Sequence, residues 1–333
     1  MYVIGTGDDC IIVLDDRFQI VSETRCERPT FVIHDRAKKF VYAVNETNVG
    51  HVSSYKFDCE KGSLGFVSNV ETYGADPCHL ALSADESFLG VANYTGGNVS
   101  VLSVDPSTGH INDDSIVTIS FTTAEPGPNK PRQDNSHPHQ FVWDPQCNTA
   151  SRCFVSDLGC DCIRILSFDS VSLHQIGLIS LSPGVGPRHF VFDNDRLFVL
   201  NELKPSLNVF VCDPDSQSWE LEAAATVESP VNPNIENTAA ELAVKDSIVY
   251  ISQRGKGLIA SFQFNAASRS LKHEFTYILQ YGDSPRHFVL RDDRMLVGLQ
   301  DSNAIEVLRV EGVKLLADSV VQHLSAGPQC IQF

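Results

Sequence analysis

Apolar residues along this chain come in short runs with polar turns between them, and no stretch keeps a helical spacing. Phe40-Val41-Tyr42-Ala43-Val44-Asn45, Phe88-Leu89-Gly90-Val91-Ala92-Asn93 and Leu197-Phe198-Val199-Leu200-Asn201 are typical. Such runs are rich in β-branched and aromatic residues and are bounded by Gly, Pro, Asn and Asp, the composition of strands and turns. A sustained 3.6-residue period, the mark of an amphipathic helix, is missing. The runs also repeat. A Pro, or once an Ala, opens an apolar segment at Pro29, Pro77, Pro138, Pro187, Ala239, Pro285 and Pro328, with steps of 48, 61, 49, 52, 46 and 43 residues. A second strand signal follows about ten residues later. A third comes after a polar turn (Val99–Val104), and a fourth, more amphipathic one, closes the copy (Ile116–Phe121).

Four short antiparallel strands repeated seven times predict an all-β fold, a seven-bladed β-propeller forming a single domain over residues 1–333. The ends fit this reading. Tyr2–Thr6 reads as a second strand and Cys330–Phe333 as a first strand, so both termini are expected to share the last blade and pair two otherwise open edges. In an antiparallel meander the start of the first strand and the end of the second lie at the same end of the sheet. Repeated round a ring, those positions converge on one mouth of the central channel. First-strand starts bring His79, His137, His139, Arg188, His189, Glu241, Arg286 and His287 there. Second-strand ends bring Asn45, Glu46, Asn93, Tyr94, Asn201, Glu202, Gln253 and Arg254. Arginines at such a mouth can clamp carboxylates or phosphates, and a neighbouring His or Glu can move a proton. Two long connections, 124–136 with Lys130 and Arg132 and the Pro- and Asn-rich 228–238, are expected on the same face, as covers or as plain insertions.

Composition narrows the partners. With 25 Lys+Arg against 42 Asp+Glu the net charge is −17, which argues against nucleic acid. No apolar run reaches membrane-helix length, and the first residues lack the basic and apolar regions of a secretory signal. Ten cysteines then read as reduced thiols, and the expected location is cytoplasmic. Cys153, Cys160 and Cys162 lack a fourth ligand at zinc spacing, so neither a metal nor another cofactor is expected. Asn45, Asn93 and Asn98 head glycosylation-like triplets that mean nothing without secretion. Acidic pairs such as Asp8-Asp9, Asp15-Asp16, Asp113-Asp114 and Asp292-Asp293 are expected in outer turns. The arginines gather at the mouth, so the local sign there suits an anionic small molecule.

The motifs Ser136-His137-Pro138-His139, Gly186-Pro187-Arg188-His189, Val199-Leu200-Asn201-Glu202-Leu203, Ala239-Ala240-Glu241, Ser252-Gln253-Arg254 and Ser284-Pro285-Arg286, in this order, resemble the lactonase family of seven-bladed propellers. Bacterial propeller-type 6-phosphogluconolactonases belong to it, and fungal carboxy-cis,cis-muconate cyclase resembles it more distantly. The resemblance spans the whole chain and implies hydrolysis of a sugar-acid lactone, with 6-phosphogluconolactone foremost. It implies a catalytic set of His139, Arg188, Glu202 and Arg254. His137, His189, Glu241 and Arg286 are the wider substrate-binding candidates. Glu241 stands where bacterial members look to carry Asp, and Thr30 and Cys78 fill the slot in the first two copies. Bland readings stay open beside this. Arg188 and Arg286 share a repeat slot and could be structural ion-pair partners, Glu202 could simply pair with Arg254, and Glu46 shows that an acid in the Glu202 slot is not diagnostic. The recurrence of His79, His189 and His287 favours hydrogen bonding over chemistry. A cycloisomerase of a polycarboxylate and a non-catalytic binding propeller are the rival functions. The oligomeric state is open.

Overall fold

The structure, a computed structural model, describes residues 1–121, 126–147, 150–213, 215–216, 218–227, 237–255 and 257–333. Of the two expected covers, 124–125 and 228–236 lie outside these residues. Seven four-stranded antiparallel sheets follow one another in chain order. The first comprises Val32–His34, Phe40–Asn45, His51–Asp58 and Ser63–Glu71, and the second Pro77–Leu82, Phe88–Asn93, Asn98–Val104 and Ile111–Ser120. The third comprises Pro138–Trp143, Arg152–Asp157, Cys162–Phe168 and Leu173–Ser180. The fourth comprises Pro187–Asp193, Arg196–Asn201, Ser206–Cys212 and Trp219–Thr226, and the fifth Ala239–Lys245, Ile248–Gln253, Leu258–Asn265 and Ser270–Ile278. The sixth comprises Pro285–Arg291, Arg294–Leu299, Ala304–Glu311 and Lys314–His323. The seventh joins Pro328–Gln332 to Tyr2–Thr6, Cys10–Leu14 and Ile20–Arg25, the terminal pairing expected from the sequence. Among the described residues the helical elements reduce to one 3₁₀ turn, Gln300–Ser302.

The chain divides into two compact units. Unit 1 is Met1–Gly184 with Gln329–Phe333, and unit 2 is Val185–Pro328. Unit 1 therefore holds the first, second, third and seventh sheets, and unit 2 the fourth, fifth and sixth. Each has its own core. Second strands such as Phe40–Asn45 and Ile248–Gln253 are buried along their whole length. That is why they read as unbroken apolar runs rather than alternating ones: both faces pack against neighbours. In unit 1, Phe141 approaches the second sheet so closely that a Cβ on Gly90 would lie 2.2 Å from its ring, so only glycine fits. Outer strands alternate and leave Phe66, Ile176 and Leu221 to solvent.

Two expectations change. The outer strand of the second sheet begins at Ile111, not Ile116, and it contains Asp113-Asp114 rather than turning there. The register slips between Val101 and Ser103, so the two aspartates ride exposed on a bulge of an edge strand. A charged bulge blocks edge-to-edge pairing. The first copy is also shorter than its sequence: its inner strand starts at Val32, leaving Pro29 and Thr30 outside the ladder.

Candidate active site

The hairpin formed by first and second strands places the expected residues as the meander requires. Pro187 pairs with Asn201, Ala239 with Gln253, and Pro285 with Leu299. Arg188 and Glu202, Ala240 and Arg254, Arg286 and Gln300 thus stand at equivalent ends of the three sheets of unit 2. In each, the register slips just after the first pair, at Arg188, at Ala240-Glu241 and at Arg286. The same bulge falls on Cys78 and His139 in unit 1. A bulged residue is released from strict alternation, and its side chain is re-aimed. Nothing in the sequence marks these bulges beyond the Pro-x-His pattern itself.

In the fourth sheet the Arg188 Nε lies 3.0 Å from Glu202 Oε2. The other Glu202 oxygen, Oε1, lies 2.9 Å from Arg254 Nη2, which comes from the fifth sheet. The small Ala240 fills the slot that Arg188 fills in the fourth sheet, so Arg254 has no acid of its own sheet there and turns to Glu202. Glu202 is 1% exposed and Arg188 3%. Arg188 Nη1 also donates to the carbonyl of Ala240. Burial, and then the charge of Arg254, push the Arg188 guanidinium down to about 10, still protonated at neutral pH; Arg286 acts in the same direction. Arg286 shares the slot but not the pairing: its Nη1 is 3.4 Å from Gln300 Oε1, an amide where the fourth sheet has Glu202.

Behind Arg188 sit two imidazoles and a second acid. His189 Nδ1 is 3.0 Å from Glu241 Oε2, and His287 Nε2 is 3.3 Å from the same oxygen. All three are buried. Burial, then the charge of Arg188, hold His189 well below its ordinary value. Burial pushes His287 down to about 4, and it pushes the Glu241 carboxyl up. Around Arg188, unit 2 thus gathers the guanidiniums of Arg254 and Arg286 and the carboxyl groups of Glu202 and Glu241, and the fields of all four reach it.

His137 and His139 belong to unit 1. The His137 ring stacks on Tyr94 with centroids 4.5 Å apart, and His139 meets the same ring edge-on at 5.6 Å. His137 Nδ1 faces the Tyr94 carbonyl at 3.0 Å and Nε2 faces Asp134 at 3.0 Å. Arg132, on the described part of the 124–136 connection, donates to the Tyr94 hydroxyl at 3.2 Å. The fully buried Asp157 fixes this corner by accepting from Ser136 Oγ, the His137 N–H, the Cys160 N–H and Arg164. Asp157 and Arg164 were not singled out in the sequence; an acid at the end of an apolar strand, directly before a turn, was the available signal.

Other second-strand ends are structural. Asn45 accepts from Ser53 Oγ and donates to the Glu27 carbonyl, Asn93 donates to Ser100, and Asn201 donates to Ser206 and Asn208. Neighbouring strand residues point to opposite faces, so Asn201 and Glu202 could not both face one opening. Glu46, in the Glu202 slot, accepts from Thr30 Oγ1, its own sheet's counterpart of Arg188. Cys153 and Cys162 are buried thiols, and among the described residues no group of three or more His, Cys, Asp or Glu could hold a metal.

Comparison with known proteins identifies the family. The chain is 28% identical to a 6-phosphogluconolactonase of Formosa agariphila, over 81% of this chain and 78% of that one. It is 27% identical to the 6-phosphogluconolactonase of Bacillus subtilis, over 78% and 73%. The structure of a periplasmic gluconolactonase from Pseudomonas aeruginosa has the same fold, with a TM-score of 0.87 at 21% identity, over 99% of this chain and 98% of that one. A family model described as "Lactonase, 7-bladed beta-propeller" matches residues 17–333. The seven sheets are accordingly the blades of a propeller, and the chain belongs to the lactonase family of seven-bladed β-propellers.

Proposed function

We propose that the protein hydrolyses a sugar-acid lactone, 6-phosphogluconolactone foremost, with Arg188, Glu202, Arg254 and His139 as its catalytic set. The names of the relatives support the reaction class. The observation that carries it is the gathering of guanidiniums in unit 2. Arg254 and Arg286 both act on Arg188 there, and guanidiniums grouped in this way suit an anionic ligand. In the reaction a water oxygen adds to the lactone carbonyl. The oxyanion collapses, the bond from the carbonyl carbon to the ring oxygen breaks, and that oxygen takes a proton. Guanidiniums held in place before the reaction would stabilise the oxyanion or bind the phosphate.

Two groups are candidates for taking the proton from water: Glu202 and His139. Both Glu202 oxygens already face guanidiniums, which makes a carboxylate a poorer proton acceptor and a good anchor. Of the wider binding set, Arg286 and His137 stand at strand starts, whereas His189 and Glu241 are committed to each other. Ten free thiols fit a reducing, cytoplasmic location. An assay of 6-phosphogluconolactone hydrolysis against the spontaneous rate tests the reading. Wild type should exceed that rate, and Arg188→Ala should lose about 10²-fold or more. No acceleration by wild type overturns it; turnover of a carboxymuconate instead would favour the cycloisomerase.

A further inference from the structure

One repeat slot in unit 2 alternates in chemistry from sheet to sheet. The residue two places after the strand-opening Pro or Ala is His189 in the fourth sheet, Glu241 in the fifth and His287 in the sixth. The middle sheet supplies the acceptor and the flanking sheets supply the donors. We propose that Glu241 and His287 are positioning residues: through His189 they fix the guanidinium of Arg188 against Glu202, as one line of buried contacts running from His287 to Glu202. The inference rests on the lactonase reading for its consequence in turnover, and on geometry alone for its existence.

The tautomers follow from the contacts. When Glu241 is ionised it only accepts, and the ring nitrogens facing its Oε2 then carry the protons: Nδ1 of His189 at 3.0 Å and Nε2 of His287 at 3.3 Å. Glu241 itself is held from two sides. Its backbone N–H donates to Ser252 Oγ at 3.0 Å, and its Oε1 accepts the Leu242 N–H at 2.9 Å. Arg188 Nη1 lies 3.4 Å from His189 Nδ1 and 3.3 Å from Nε2, so it rests against the ring between the two nitrogens rather than on one lone pair. A protonated His189 would set two cations in contact without water between them. Glu241 therefore does two things: it fixes the orientation of the ring against which Arg188 rests, and it acts on the Arg188 guanidinium together with Glu202. The charged and titratable groups facing this line of contacts are Arg188, Arg254, Arg286, Glu202 and Glu241, with the two histidines themselves, and their fields are felt at His189 and His287.

The test separates positioning from simple packing. Long-range ¹⁵N correlation spectra of the imidazoles, recorded on the whole protein without substrate, should show His189 neutral with Nδ1–H and His287 neutral with Nε2–H at pH 6. In Glu241→Gln the His189 nitrogen shifts should move and kcat/KM should fall at least tenfold, while Glu241→Asp, which keeps the carboxylate, should regain part of the loss. Finding His189 as the Nε2–H tautomer, or protonated at pH 6, overturns the proposal. So does a folded Glu241→Gln with wild-type spectra and turnover. Should Glu241→Gln not fold, the wild-type spectra and His287→Gln decide the matter. Correct tautomers in a protein without lactonase turnover would refute the lactonase reading and leave the line of contacts standing.

Discussion

Replacing Glu202 by Gln removes one negative charge from between two guanidiniums and changes almost nothing in shape. Glu202 is 1% exposed, and its oxygens lie 3.0 Å from Arg188 Nε and 2.9 Å from Arg254 Nη2. Arg188 stays charged near pH 7, so the variant leaves a buried charge without its partner. Breaking a buried pair in this way costs about 3–5 kcal/mol, most of it the cost of the stranded ion. Unfolding entropy near the midpoint is about 2.1 cal/mol/K per residue, or roughly 0.7 kcal/mol/K for the whole chain of 333 residues. Tm should then fall by about 4–7 °C if the chain melts as one domain. If unit 2, Val185–Pro328, melts alone, its entropy is about 0.3 kcal/mol/K and the same cost appears as roughly 10–17 °C in a separate transition. Calorimetry at pH 7 distinguishes these, and it also tests the expectation of a single domain. The shift should persist at high salt, because ions screen buried pairs poorly. Replacing Arg188, Glu202 and Arg254 together by apolar residues of similar size should recover much of the stability and none of the activity. A Glu202→Gln protein that melts within 1 °C of wild type would refute the idea that these three side chains form one buried ionic network. The same variant separates the roles of Glu202 in turnover: loss of an anchor raises KM, whereas loss of a base lowers kcat.

Acid should destabilise the protein through its buried histidines. The folded value of His287 is depressed to about 4 against an ordinary 6.5, so the unfolded chain binds the extra proton as pH falls through 6.5 and stability drops until about pH 4. His189 acts in the same direction, the raised Glu241 opposes it, and His287→Gln should flatten the decline in a urea-melt series between pH 7 and 4.5. Glu306→Ala should cost about 1–3 kcal/mol for each donor left unmet, because the buried carboxylate accepts from the Tyr277 hydroxyl and the Gln280 and Tyr281 N–H groups; an unchanged urea midpoint would contradict this.

The repeat made the fold legible. Strand identity depends on local composition and turn residues, and seven copies of one pattern reinforce one another. The strands Tyr2–Thr6, Phe40–Asn45 and Phe88–Asn93 stand where the apolar runs put them. Where a strand met an edge the reading failed: Asp113 and Asp114 look like a turn but form a bulge, since an edge strand tolerates charge on both faces. The hairpin argument also placed Arg188 with Glu202 at one end of a sheet, because antiparallel pairing fixes which ends meet. It could not separate Asn201 from Glu202, or assign Glu202 to two arginines at once. That second pairing depends on Ala240 leaving room in the next sheet, a contact between sheets that no spacing within one copy encodes.

By itself, then, the sequence determined the class of strands, their number, the shared terminal sheet and the residues offered at each strand start. These follow from side-chain chemistry and a period of two, which are local. The tertiary structure decided which of those residues touch. The alternation of His189, Glu241 and His287 is visible as three letters in three repeats, yet only packing of adjacent sheets brings both imidazoles to one carboxylate oxygen. Burial then sets their protonation, because removing water penalises charge by an amount that depends on every neighbour at once.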